Sequence, residues 1–181
     1  RRNEMMNPYE AKSVMLQQVC AIENRQSRMA ISSVEFDSAQ EMLWTGTSDG
    51  WIAGYAIPSL SPVVSFRIRP PTEESHRRHI RGEQIRYLKA CSAGMLSVTE
   101  SSVRLHGRGG VLMARYIPQK NENLKSRASI VCASLDLNEA HIVAGCDTNS
   151  SNSSLLALFD VNYGSVPVNT ISMDTGGSSC V

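Results

Sequence analysis

Hydrophobic residues in this chain alternate with polar residues over short runs, a pattern typical of strands that are buried on one face. Helical periodicity is weak after residue 30. Ser48-Asp49-Gly50 separates two of the runs and predicts a tight hairpin turn, because Asp-Gly tolerates the positive φ that such turns demand. The first group of runs predicts four short antiparallel strands, at 31–37, 42–47, 51–57 and 63–68.

The same arrangement of four short runs occurs twice more. Second strands of the three groups align at Leu43, Leu96 and Ile142, at a spacing of about 50 residues, and four-strand repeats of about 40–50 residues are typical of β-propeller blades. We therefore predict an all-β fold, a partial WD40-type β-propeller with about three four-stranded antiparallel blades. The blades are expected at about 31–69, 85–117 and 130–173, within a blade region of 31–181.

A four-stranded sheet is too small to bury its own faces, so each blade must stack on its neighbours. Propellers have typically four to eight blades, and three blades cannot close a ring. The sequence therefore predicts part of a longer propeller. Residues 1–30 form a separate N-terminal segment, in which 10–22 fits either a short helix or a strand that closes the ring.

Composition favours an intracellular globular protein. Hydrophobic residues make up 41% of the 181 residues, and the net charge is +1, which gives no global reason to bind nucleic acid or a membrane. No apolar run approaches the roughly 20 residues that span a bilayer, and no signal peptide is evident. The five cysteines, an odd and widely spaced set, predict reduced thiols rather than a disulfide framework.

No constellation of residues predicts catalysis in this segment. There is no phosphate-binding loop and no nucleophile elbow. Asp174-Thr175-Gly176 matches an aspartic-protease triplet, but that chemistry needs two carboxylates and no second triplet exists. We therefore predict a turn there, and no catalytic, cofactor-binding or metal-binding residue in these 181 residues.

Several residues are predicted to hold the blades together. Two tryptophans are expected to pack between blades, and the aspartate that follows Phe159 is expected to hydrogen-bond within its blade. The remaining positions are small or turn-forming residues at strand ends. The predicted structural positions are Trp44, Gly46, Asp49, Gly50, Gly145 and Asp160.

A basic stretch joins the first two predicted blades. Lysine and arginine clusters can neutralise RNA phosphates, although single-stranded RNA binders usually add exposed aromatic residues, and only Phe66 and Tyr87 flank this stretch. A protein-partner surface and a plain solvated loop remain open as alternatives. The cations of the possible partner or RNA surface are Arg67, Arg69, Arg77, Arg78, Arg81, Arg86 and Lys89.

Two of the predicted blades resemble a known family. The segments 34–37, 41–46 and 48–50 resemble the opening blade of the large, catalytic subunit of the poly(A)-binding-protein-dependent poly(A)-specific ribonuclease, a deadenylase. Gly94–Val98, Ser101–Leu105 and Arg108-Gly109-Gly110 resemble its next blade. The third blade is similar in a way that is common to propellers.

The resemblance implies a non-catalytic scaffold within a 3′-exoribonuclease that shortens the poly(A) tails of mRNA. It implies contacts with the adaptor subunit and with the poly(A) ribonucleoprotein, and a cytoplasmic location that includes P-bodies. The nuclease domain of that family uses two divalent metal ions, but nothing in this segment matches it, so no catalytic residue is carried over. The alternative is a generic WD40 protein-interaction adaptor outside RNA decay.

Overall fold

The computed structural model describes residues 30–37, 39–68, 82–118, 128–148 and 153–174. They form twelve strands in three separate four-stranded sheets and contain no helix. The predicted all-β fold with three four-stranded antiparallel blades is therefore confirmed. Blade one consists of β1 Ile31–Asp37, β2 Met42–Thr47, β3 Trp51–Ala56 and β4 Ser61–Arg67. Blade two consists of β5 Tyr87–Cys91, β6 Gly94–Val98, β7 Val103–His106 and β8 Leu112–Tyr116. Blade three consists of β9 Ala128–Leu135, β10 His141–Thr148, β11 Ser153–Asp160 and β12 Asn169–Asp174.

Every blade is an antiparallel meander in which chain neighbours are also sheet neighbours. In blade one, Trp44 stands opposite both Glu35 on β1 and Gly54 on β3. The turn between β2 and β3 contains Gly50, whose φ of 88° lies in the left-handed region that favours glycine. This is the hairpin that the Asp-Gly pair predicts.

Blade two lies between the other two and buries both of its faces. Successive residues on β6 point to opposite faces, so Met95 enters the core shared with blade one and Leu96 enters the core shared with blade three. Around Met95, the core contains Met42, Trp44, Ile52, Ile68, Ile85 and Leu88. The second core is built around Leu96, Tyr116, Ile142 and Phe159.

Several strands begin or end one or more residues away from the limits that the sequence predicts. Strand β4 begins at Ser61 and includes Pro62, whereas the sequence pattern predicts a strand that starts only at residue 63. Proline is tolerated because β4 is an edge strand, where a missing N–H breaks no ladder. Strands β10 and β11 extend into the polar segment 147–154, where Asp147 pairs with Ser154. Backbone pairing thus continues past the last apolar residue.

The N-terminal segment 1–30, for which a helix or a closing strand was predicted, lies outside the described residues except for Ala30. The same is true of most of the loops 70–82 and 118–127. Within the described part of the chain, no helix has the length and hydrophobicity needed to cross a membrane.

Candidate interaction surface

The predicted basic stretch is only partly described. Arg69, Arg77, Arg78 and Arg81 lie outside the described residues, so their contact with RNA or a partner stays a prediction. Each of the other three cations forms an ion pair with a carboxylate of the same chain. These pairs are Arg67–Asp49, Arg86–Glu100 and Lys89–Glu35.

The pair between Arg67 and Asp49 braces the turn between β2 and β3. Oδ1 of Asp49 accepts a hydrogen bond of 2.7 Å from the Thr47 hydroxyl, which itself accepts one of 3.0 Å from the N–H of Trp51. Nε of Arg67 donates to the Asp49 carbonyl at 3.1 Å, and the guanidinium lies 6.0 Å from the centre of the Trp51 ring. Asp49 and Gly50 therefore hold the turn that the sequence predicted.

Charged groups lock blade one onto blade two. Oε1 of Glu35 accepts hydrogen bonds from Nζ of Lys89 at 3.0 Å and from the N–H of Ala90 at 3.2 Å. The hydrogen bond and the charge of Glu35 raise the pKa of Lys89. Nearby, Nε of Arg108 lies 3.2 Å from the buried carboxylate of Asp37.

A buried network that the sequence analysis missed is centred on Glu83. Its carboxylate accepts hydrogen bonds from the hydroxyls of Thr99 at 2.6 Å and Ser101 at 2.8 Å, and it lies 3.4 Å from the guanidinium of Arg104. Burial lowers the pKa of Arg104, the negative charge of Glu83 opposes that shift, and the positive charge of Arg115 adds to it. No sequence signal marks Glu83, because a single glutamate between two strands gives no sign that Thr99, Ser101 and Arg104 surround it in the folded blade.

Blade two is joined to blade three in a similar way. The N–H of Ile130 donates to the Glu100 carbonyl at 2.8 Å, and Arg86 donates to the Ile130 carbonyl. The ring of Tyr116 packs edge-on against Phe159 with 5.6 Å between ring centres. These contacts position Arg86 as a brace between blades.

The other predicted structural positions also lie inside or between blades. Of the two tryptophans predicted to pack between blades, Trp44 is fully buried in the core shared by blades one and two. Trp51 is 42% exposed at the start of β3, so the prediction is wrong for Trp51. A Cβ at Gly46 would collide with Ser33 and Ile85, and one at Gly145 would come within 2.8 Å of the Cys132 sulfur. The carboxylate of Asp160 accepts a hydrogen bond of 2.8 Å from the N–H of Asn162, within its own blade.

Two buried titratable groups have pKa values far from their ordinary ones. Burial, with the charge of Arg104, lowers the pKa of His106 to about 4, and the backbone of Gly110 offsets part of this shift. Burial raises the pKa of the Cys146 thiol to about 11. Within residues 30–37, 39–68, 82–118, 128–148 and 153–174, no group of three histidine, cysteine or acidic side chains is placed to hold a metal ion.

The outer edge of blade two has a different character. Strand β8 is an edge strand, and Leu112 and Met113 on it are 51% and 58% exposed. Arg115 lies on the same strand, and its Nε is buried with no hydrogen-bond partner among the described residues. Apolar side chains and a cation are thus presented together at the rim.

Comparison with known proteins agrees with the resemblance that the sequence shows. No family model matches the chain. It is 27% identical over 96 residues to "PAN2-PAN3 deadenylation complex catalytic subunit Pan2" of Mus musculus, and 26% identical over 96 residues to the Homo sapiens subunit. The matched residues are 53% of this chain and 7% of each relative, so the match spans a small part of those proteins.

Solved structures show the same fold. The WD40 domain of Neurospora crassa Pan2 superposes with a TM-score of 0.57 and 22% identity, over 86% of this chain and 41% of that chain. The β-propeller domain of Cps50 (Swd1) from Myceliophteria thermophila superposes with a TM-score of 0.58 and 14% identity, over 94% and 47%. At these identities the likeness establishes the fold alone. The resemblance predicted from the sequence is nevertheless confirmed by the curated relatives: these WD40-type propeller blades are similar, over about half of the chain, to the catalytic Pan2 subunits of deadenylation complexes.

Proposed function

We propose that this chain is a non-catalytic WD40 scaffold region of a poly(A)-specific 3′-exoribonuclease subunit that acts in shortening the poly(A) tails of mRNA. In this proposal it mediates contacts with the adaptor subunit and with the poly(A) ribonucleoprotein in the cytoplasm, including P-bodies. The single observation that carries the proposal is the 96-residue match to Pan2 subunits. The three blades provide a fold that suits such a role.

The ion pairs of the described residues support a scaffold role. Ion pairs at Glu35–Lys89, Asp37–Arg108 and Glu83–Arg104 brace blades or the seams between them. Groups that are paired in this way hold a fixed shape, and recognition is then left to loops and rims. The nuclease chemistry, with its two divalent metal ions, would reside in another domain of the parent protein.

The outer face of blade three supports the proposal that these blades form part of a larger ring. Val143, Ile171 and Met173 lie on it and are each more than 40% exposed. Radial stacking of a further blade would cover this apolar face, as blade two already covers the opposite one. The Neurospora Pan2 WD40 domain, of which this chain covers 41%, has the length for additional blades.

The proposal is tested by affinity purification of the tagged full-length parent protein from cell extract, beside a variant that lacks residues 1–181. We expect the full-length protein to recover the deadenylase adaptor and poly(A)-binding protein, and the deletion to weaken that recovery. A ribonuclease-treated extract distinguishes direct protein contacts from contacts bridged by RNA. Analytical gel filtration of both proteins checks that the deletion has not caused aggregation.

Absence of both proteins from the full-length sample would overturn the assignment to a deadenylase. It would favour the generic WD40 adaptor, which the fold alone suits equally, since Cps50 superposes as well as Pan2 does. If the deletion variant recovered both proteins as well as the full-length protein does, the assignment to a deadenylase would stand. The scaffold role proposed for these blades would then be wrong.

A further inference from the structure

Arg115 is an exception among the basic residues of blades one to three. The described part of the chain contains six lysines and arginines, and five of them pair with a carboxylate. Arg115 forms no ion pair or hydrogen bond with any described residue. The five pairs are Arg67–Asp49, Arg86–Glu100, Lys89–Glu35, Arg104–Glu83 and Arg108–Asp37.

A second cation lies beside Arg115. Arg104 on β7 stands directly opposite Arg115 on β8, and residues in such register project from the same face of a sheet. The positive charge of Arg115 helps to lower the pKa of Arg104, so the two guanidiniums interact. The Glu83 carboxylate is already shared between Arg104 and two hydroxyls. Two positive charges therefore face one negative charge.

Apolar side chains surround this excess charge. Leu112 stands opposite His106, which is two residues from Arg104 on β7, so Leu112 and Arg115 share a face. A β-bulge leaves Met113 without a partner on β7, and both Leu112 and Met113 are more than half exposed. On the side of blade one, the ring of Phe66 lies 4.8 Å from that of His106. We call Phe66, Leu112, Met113 and Arg115 the rim seam.

We propose that the rim seam binds an extended segment of a partner protein that carries a carboxylate between apolar side chains. A carboxylate matches the guanidinium fork of Arg115, which is half-buried and pairs with no carboxylate of the described residues. Apolar side chains of the segment would cover Leu112 and Met113. Because β8 is an edge strand with no neighbour on its outer side among the described residues, an extended chain fits beside it.

A nucleic acid fits this seam less well. Binding along a phosphate backbone uses several cations, and every described cation other than Arg115 is already paired. The exposed side chains of the seam are aliphatic, whereas single-stranded nucleic acids stack on aromatic rings. Phe66, the aromatic residue of the seam, is half-buried and its ring already lies against that of His106.

The inference concerns these blades themselves and does not depend on the parent protein being a deadenylase. The test uses the whole 181-residue chain and a short fluorescent peptide in which valine and threonine alternate around a central glutamate. A matched peptide carries glutamine in place of the glutamate. Binding is measured by fluorescence anisotropy at low and high salt, with a poly(A) oligonucleotide as a third probe.

We expect the glutamate peptide to bind at least about tenfold more tightly than the glutamine peptide at low salt, because a hydrogen bond to a charged group contributes more than one between neutral groups. Salt should reduce this preference. Arg115→Gln should abolish the preference for the glutamate peptide, and Leu112→Ser should weaken the binding of both peptides by a similar factor. Lys89→Gln, which removes another partly exposed cation, should change neither the preference nor the two affinities.

Three outcomes would overturn the proposal: equal affinities for the two peptides, no binding of either, or a preference that survives in Arg115→Gln. Binding of the oligonucleotide that is lost only in Arg115→Gln would instead identify a nucleic-acid contact. Misfolding is checked by thermal unfolding. Since Arg115 pairs with no described residue and stands next to Arg104, Arg115→Gln should unfold at the same temperature as the parent chain or higher.

Discussion

The carboxylate of Glu83 lies 3.4 Å from the guanidinium of Arg104, and both side chains are largely buried. Glu83 reaches this position from the segment that leads into blade two, whereas Arg104 lies on the third strand of that blade. The ion pair therefore ties an incoming connection to the sheet that follows it. Glu100, by comparison, pairs with Arg86 while its side chain is 68% exposed.

This difference in burial predicts unequal effects of two similar substitutions. Glu83→Gln removes the carboxylate that pairs with the buried charge of Arg104 and should lower the free energy of unfolding by about 3–5 kcal/mol. Glu100→Gln removes an exposed pair and should cost less than about 1 kcal/mol. Urea denaturation followed by circular dichroism measures both. Equal effects would show that the Glu83 network does not stabilise blade two.

Two threonines on β2 offer a matched comparison of hydroxyl groups. Both are buried, but the Thr45 hydroxyl has no hydrogen-bond partner within the described chain, whereas the Thr47 hydroxyl bonds Asp49 and the N–H of Trp51. Thr45→Val should be neutral or stabilising, because it removes an unsatisfied polar group. Thr47→Val should destabilise by about 1–3 kcal/mol. The reverse order in thermal or urea unfolding would contradict the hydrogen-bond assignment.

The lowered pKa of His106 predicts that the chain loses stability in mild acid. Its pKa is about 4 in the folded chain, below the ordinary value of 6.5 for a solvated histidine, so folding favours the neutral ring. The contribution is complete above pH 6.5 and is lost as the pH falls toward 4. By linkage the loss approaches about 3 kcal/mol.

The variant His106→Gln serves as the control for this pH dependence, because other acidic groups also titrate as the pH falls. Stability of both proteins is measured by urea denaturation at several pH values between about 7 and about 4. The free energy of unfolding of the variant should change less steeply with pH than that of the parent chain, and the difference should correspond to at most one bound proton. Parallel curves for the two proteins would mean that His106 is solvated in the folded chain.

Gly50 should not tolerate a side chain. Its φ is 88°, and an added Cβ would lie 2.8 Å from the carbonyl oxygen of Ile68. Gly50→Ala should therefore destabilise by more than about 1 kcal/mol. Gly109→Ala is the matched control, since no atom of the described residues lies within 4 Å of its added Cβ. A larger loss in the control, measured by the midpoint of thermal unfolding, would contradict this turn geometry.

Much of the fold followed from local pattern. Alternation of apolar residues specified strands, because successive side chains of a strand point to opposite faces. The Asp49-Gly50 pair specified a hairpin, because a glycine accepts the backbone conformation that the turn needs. The repeat of these features at a spacing of about 50 residues specified blades. Pro62 was misplaced because a proline forbids only a central strand, and its edge position is set by the order of the sheet.

The charged residues could be counted from the sequence, but the partner of each charge could not be predicted from it. Arg67, Arg86 and Lys89 looked like members of one basic surface, yet the folded blades bring each to a different carboxylate, within a blade for Arg67 and Arg86 and across two blades for Lys89. Glu83 looked like an ordinary loop residue and is buried beside Arg104. Ion pairs depend on distances of a few ångströms between segments remote in sequence, and only packing sets those distances.

The sequence by itself thus determined which segments are strands, how they group into blades and which family they resemble, because each of these depends on residues close together in the chain. Tertiary structure decided which charges are neutralised, which hydroxyls are satisfied and which of the described cations is left at the rim. These depend on how the strands pair within each blade and on how the blades pack against one another. Arg115 differs from the five other described cations because each of those pairs with a carboxylate, whereas the residue opposite Arg115 on β7 is another cation, Arg104.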